Sequence, residues 1–261
     1  MDTVAYAEYL ERLIAALGAD ERVLGAVALG STAATVRQPD QWSDHDVWVI
    51  VEPGFEEHYR TDPSWLPDHG RLVLWLRETE HGVKAVYEDG HMVEVTVFRL
   101  DELAAARVNS YRVLLDKGGV AAAMPGIRAA TEEHLAGECR SEGYRVGQFI
   151  TGLLVGICRF ARGEKISGPE FVKVHATGHL LALIPMVLDP ADPTAVDDLN
   201  PWRRVEQAFP GVASRIAAAL AQDVPQATLG LLAVAEALRP HLADWPTGVA
   251  VVVRRMAGDL L

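Results

Sequence analysis

The sequence predicts an α+β fold in two parts: a mixed β-sheet with helices over residues 1–125 and an α-helical bundle over residues 126–261. Three observations carry this. Apolar runs of strand length fill the first half, interspersed with helical stretches that do not alternate regularly, so the sheet mixes parallel and antiparallel pairs. From about residue 128, Ala-, Leu- and Val-rich stretches recur at helical period. Gly118-Gly119 and Pro125-Gly126 punctuate the change between the two patterns.

In chain order, Asp2 or Thr3 can cap a first helix whose apolar residues Val4, Leu10, Leu13, Ile14 and Leu17 recur at helical spacing. Val23–Leu29 is an apolar run ending at Gly30, as a buried strand would be. Ser31–Val36 suits a short helix, and Gln38–Ser43, with Pro39, a polar loop. Val47–Val51 reads as the second strand, closed by Pro53 and Gly54, and residues 55–69 as a helix or irregular segment broken by Pro63 and Pro67. Leu72–Leu76, Val83–Tyr87 and Met92–Phe98 read as three further strands. Asp89-Gly90 predicts a hairpin closed by a type I′ turn. Asp116, after Val113-Leu114-Leu115, reads as a strand-end turn. In the second half, helices are expected over 141–163, 168–187, 211–222, 226–241 and 247–260, separated by Gly and Pro.

Composition narrows the class. With 261 residues, 49% of them hydrophobic, the chain can bury a sizeable core. No apolar run is long enough to cross a bilayer. Residues 1–20 carry Asp2, Glu8 and Glu11 where a secretory signal would be basic. Cys139 and Cys158 are too few for a disulfide framework and lack zinc-site spacing. These point to the cytoplasm. The net charge of −12 sits mainly in residues 1–125, where 21 acidic residues face 11 Lys and Arg. Such a surface argues against nucleic acid as a partner. It suits a cationic small molecule, and equally serves solubility alone.

The informative stretch is Gly30-Ser31-Thr32, followed by Ser43-Asp44-His45-Asp46 at the mouth of the second strand. Asp44 and Asp46 are two apart, so in an extended chain their carboxylates share a face and His45 points to the other, where it packs in the sheet. Two carboxylates on one face call for a cation between them, and magnesium takes oxygen ligands while keeping substrate phosphates in its shell. Glu94, inside Met92–Phe98, is a third carboxylate that needs a partner if its strand is central. Gly30 at a strand end lets a phosphate approach the backbone, and Ser31 opens a helical turn whose free amides favour anions. An anion cradle beside three acids suits phosphoryl chemistry, in which catalysis is positioning and charge neutralisation. No nucleophile-elbow motif surrounds Ser31, so it is not read as a nucleophile.

The Gly30-Ser31 pair, twelve intervening residues, Asp44-His45-Asp46, and Asp89-Gly90-His91-Met92-Val93-Glu94 resemble the signature of the DNA polymerase β-like nucleotidyltransferase superfamily. Within it the chain is similar to the bacterial antibiotic nucleotidyltransferases, of both aminoglycoside and lincosamide type. Ser64-Trp65-Leu66 and Arg162-Gly163-Glu164 add to that likeness, which is specific over residues 20–100 and looser beyond. The resemblance implies that Gly30 and Ser31 hold a triphosphate and that Asp44 and Asp46 bind Mg2+. It makes Glu94 general base, metal ligand or both. It further implies that AMP passes from ATP to a hydroxyl of a small molecule, most readily an aminoglycoside, with release of pyrophosphate. A lincosamide acceptor, or a protein partner modified in the manner of an antitoxin, is the alternative. The helical half would bind the acceptor, in a cleft between the two halves. One departure is that Thr32 stands where some relatives carry an arginine; Arg37 could compensate.

A triphosphate also needs a Lys or Arg. Arg159, Arg162, Lys165 and Lys173 cluster near one helix end, and Lys173, on the same helix as His175 and His179, is the candidate taken forward, although surface solvation accounts for any of them. Tyr144, Gln148 and Trp202 could line an acceptor site or simply pack. Oligomeric state is not legible in the sequence.

Overall fold

The computed structural model describes residues 2–36, 38–138 and 140–261; Arg37 and Cys139, both singled out above, lie outside the described residues. The chain divides into two compact units, Met1–Gly137 and Glu138–Leu261.

The first unit is a six-stranded sheet with helices on both faces. Helix α1 (Thr3–Ala19) starts at Asp2, whose carboxylate accepts the N–H groups of Val4 and Ala5. Strand β1 (Val23–Leu29) leads into the single turn α2 (Gly30–Ala33), then come β2 (His45–Val51), α3 (Glu56–Thr61), β3 (Leu72–Arg77), β4 (Gly82–Tyr87), β5 (Met92–Phe98) and β6 (Tyr111–Asp116). The strand order is β3-β4-β5-β2-β1-β6. Only β2 and β5 run parallel; every other pair is antiparallel. The sheet is therefore mixed, and the fold is α+β.

Strand β2 lies inside the sheet and is covered on both faces, which is why its sequence is apolar without alternation. On one face Val47 and Val49 meet Tyr9, Leu13 and Leu17 of α1. On the other, Trp48 and Ile50 join Val27, Phe98 and the buried Val120, Met124 and Ile127 of α4 (Val120–Glu138). Asp116 does more than end a strand: its carboxylate accepts the N–H groups of Gly119, Val120 and Ala121 and so starts α4. The expected boundary at 125/126 falls inside α4, which carries Pro125 in its second turn and belongs wholly to the first unit up to Gly137.

The Asp89-Gly90 hairpin forms, but not as a type I′ turn. Gly90 is left-handed (φ +82°) and Asp89 is not, Gly90 N–H donates to Tyr87 O, and Val86 faces Met92. The loop therefore has three residues, Glu88 to Gly90, closed by a bulge. This one-residue difference decides which side chains face each other across β4 and β5.

The second unit is helical. Helix α5 (Glu142–Ala161) is its central member, capped by Ser141, and buries Phe149, Ile150, Leu153 and Ile157. A helical stretch follows, from α6 (Ser167–Glu170) through the π-helical segment Phe171–Ala176 into α7 (Thr177–Val187). Thr177 donates its hydroxyl to Val172 O within this widened turn. After the single turn α8 (Val205–Ala208), α9 (Pro210–Leu220), α10 (Val224–Ala237) and α11 (Thr247–Gly258) complete one apolar core with α5. No helix among the described residues is long and apolar enough to cross a membrane.

Candidate active site

The turn after β1 is made by glycine. Gly30 has φ +49°, a conformation in which a side chain is strained, and the space where its Cβ would stand is open to 4 Å. Ser31 follows in a helix only four residues long, so its dipole is small and access to the backbone matters more than a macrodipole.

Twelve residues later the chain enters β2 at Asp44-His45-Asp46. Cross-strand register places Asp46 directly beside Glu94 of β5, and Glu94 directly beside Lys84 of β4. The three form one row on one sheet face. Asp44, Asp46 and Glu94 are each half-buried, whereas His45 and Val93 on the opposite face are buried.

Thr32 ties the glycine turn to this strand. Its hydroxyl oxygen accepts the Asp46 N–H at 2.9 Å and lies 2.8 Å from the Tyr6 hydroxyl. Tyr6 in turn donates to Asp44 O at 2.9 Å. At 1% exposure, Thr32 is not a phosphate ligand. Burial, with the charges of Asp44 and Asp46 nearby, pushes the Tyr6 phenol up to about 12. Tyr6 is therefore a fixed neutral donor at neutral pH.

Beneath the carboxylates lies a buried aromatic layer. The His45 ring stacks on Tyr6, with centroids 3.7 Å apart, and its Nε2 donates to Tyr6 O at 3.1 Å. That leaves Nδ1 to accept from His91 Nε2 at 2.7 Å, so the network itself fixes both tautomers. Burial holds His45 down at about 3 and His91 below the usual histidine range. His45 is packed, as expected, and neutral.

Asp44, Asp46 and Glu94 are the three carboxylates expected at a metal. Among the described residues, no three His, Cys, Asp or Glu side chains are grouped to hold an ion. Lys84 Nζ lies 3.1 Å from Glu94 Oε1 and 2.7 Å from Glu78 Oε1. Glu94 already has a cation. Asp44 and Asp46 suit a magnesium site of the usual kind, in which one or two carboxylates are completed by substrate phosphates.

A family model for streptomycin adenylyltransferase matches residues 5–135, half of the chain and nearly all of the first unit. The chain belongs to the streptomycin adenylyltransferase family. It is thus a nucleotidyltransferase, with a nucleoside triphosphate and a small molecule as its substrates. No curated protein matches it in sequence. Among solved structures, an aminoglycoside 6-adenyltransferase from Bacillus subtilis is similar at 11% identity and TM-score 0.36, over 96% of this chain and 97% of that one.

The structure also shows what occupies the basic residues of this adenylyltransferase. Lys173, expected at the triphosphate, donates to Leu220 O at 2.9 Å and to Gln222 O, so it caps the carboxyl end of α9. The Arg159 guanidinium lies 4.0 Å over Phe171, Arg162 pairs with Glu164, and Lys165 lies over Phe160. Each has a local role in the helical unit. In the first unit, Arg112 of β6 donates to Thr32 O at 3.4 Å, bringing a guanidinium to the glycine turn. Neither Lys84 nor Arg112 was singled out by sequence: each is an ordinary strand residue until the register is known.

Of the candidate acceptor residues, Tyr144 and Trp202 are exposed, and Tyr144 meets His179 edge-on. His179 Nδ1 accepts from Arg145 at 3.4 Å, since a guanidinium can only donate, and burial beside that cation holds His179 below its usual range. Gln148 is exposed on α5.

Proposed function

We propose that this adenylyltransferase moves AMP from ATP to a hydroxyl of an aminoglycoside, releasing pyrophosphate. The observation that carries this is the adjacency of Asp46 and Glu94 on neighbouring parallel strands, held by Thr32 against the Gly30-Ser31 turn. In this reading Gly30 admits the triphosphate to the backbone, Ser31 binds it, and Arg112 adds positive charge. Asp44 and Asp46 hold Mg2+, which when bound neutralises the phosphate charge. Glu94 accepts the proton from the acceptor hydroxyl as its oxygen bonds to the α-phosphorus and the bond to pyrophosphate breaks. The site residues and the division of labour, catalysis in residues 1–125 and acceptor binding in 126–261, are part of the proposal, as is a cytoplasmic setting where ATP is available.

Acceptor choice rests on charge and family. Aminoglycosides are polycations, and the acidic first half would attract one. The test is pyrophosphate release with Mg2+, ATP and a panel of streptomycin, other aminoglycosides and a lincosamide. Turnover with an aminoglycoside alone supports the proposal; turnover only with the lincosamide replaces the acceptor. Asp46→Asn should abolish release, and Glu94→Gln should lower kcat by about 10²–10⁴-fold. Near-normal turnover of Asp46→Asn overturns the metal role.

A further inference from the structure

Resting on the assignment just made, we propose that Lys84 is a positioning residue whose ammonium substitutes for a metal ion at Glu94, so that the nucleotide-free enzyme offers a divalent cation only Asp44 and Asp46. Lys84, Glu94 and Asp46 occupy consecutive strands in one row on one face. Neighbouring strands are about 4.8 Å apart, so Asp46 and Glu94 alone would be two carboxylates at repulsive distance on a partly dried surface. A third acid in the same row would make a metal trap, able to hold an ion without any substrate. The ammonium prevents this. It is compact, carries three donors and no acceptor, and is itself fixed, because Glu78 grips it from the far side at 2.7 Å while Glu94 lies at 3.1 Å.

Two consequences follow. Metal binding becomes dependent on the triphosphate, whose phosphates must complete the shell that two carboxylates only begin. Glu94, with one oxygen held by Lys84, keeps its other oxygen to accept the hydroxyl proton and is not drawn onto the metal. Lys84 thereby separates the roles of ligand and base that the bare sequence leaves merged in Glu94.

The experiment titrates Mn2+ into the nucleotide-free protein, read by electron paramagnetic resonance, for the wild type and Lys84→Met, Lys84→Gln, Lys84→Arg and Asp46→Asn. Removing the ammonium while keeping its stem frees a third carboxylate, so Lys84→Met should bind Mn2+ about tenfold more tightly. Lys84→Gln should do the same, and Lys84→Arg should stay near wild type. Turnover of Lys84→Met with ATP and Mg2+ should fall although its metal affinity rises, a combination that a merely structural lysine would not produce. Affinity unchanged or weakened in both neutral variants overturns the role of Lys84. If Asp46→Asn binds Mn2+ as the wild type does, the carboxylate site itself is wrong, and the assignment beneath the proposal fails first.

Discussion

Thr32 contributes through the groups it joins. Its hydroxyl takes the part-buried N–H of Asp46, contacts Tyr6 and closes the path from the glycine turn to the carboxylate strand. Thr32→Val keeps the shape and removes the oxygen, stranding that N–H, which costs about 1–3 kcal/mol of stability. The strand mouth should also loosen, raising KM for ATP·Mg2+, while Thr32→Ser should restore both. Urea denaturation with steady-state kinetics would check this, and a valine variant with wild-type stability and KM would remove Thr32 from the site. Thr32 was visible in the sequence only as a departure from an arginine, because its partners are 14 and 26 residues away. Lys84 was hidden by turn chemistry. A two-residue turn at Asp89-Gly90 would set Lys84 opposite Val95, on the far face, whereas the observed three-residue loop sets it opposite Glu94. One residue of register turns an unremarkable lysine into the neighbour of the proposed base.

At the scale of elements, legibility follows burial. Strands β1 and β5 were readable end to end, because their apolar runs are covered by the sheet and its helices. Strand β6 was read only as the approach to a turn at Asp116, since an edge strand with a bulge and exposed Arg112 carries a weak pattern. The helices of the second unit appeared at nearly their observed positions, but their packing did not, and two glycines on α5 show why. A Cβ on Gly156 would lie 2.5 Å from Val172 Cγ2 and 3.0 Å from Val172 N, whereas one on Gly147 would meet nothing within 4 Å. Gly156→Ala must push apart α5 and the π-helical segment, costing about 1–3 kcal/mol. Gly147→Ala should stabilise by about 0.5–1 kcal/mol, since only chain entropy changes. Denaturant midpoints of opposite sign on a single helix are the expected result; if both variants destabilise equally, the close approach at Gly156 is not what the helix depends on.

Across the whole molecule, acidity and buried histidine compete over the effect of pH. The chain carries −12, so protonating carboxylates relieves repulsion, but ordinary carboxylates take up protons only near and below pH ~4.5. Between pH ~6.5 and ~5 histidine decides. His45 and His91 are buried and bonded to each other, and His179 in the second unit faces Arg145; all three are held below the usual histidine range. With native pKa values below the unfolded value, the unfolded chain binds more protons in this window, so stability is full above pH ~6.5 and declines as pH falls. Each such histidine contributes at most about 1.4 kcal/mol per pH unit, and the half-exposed His179 contributes less than a buried one. Glutamine at position 91 can still donate towards His45 but cannot titrate, so His91→Gln should lessen the acid slope of the first unit, with His45 keeping its own share, and leave that of the second. Urea denaturation at pH 7.5, 6.5 and 5.5 measures it, with Trp48 and Trp65 reporting on one unit and Trp202 and Trp245 on the other. An undiminished first-unit slope in His91→Gln would mean that its acid response does not come from His91.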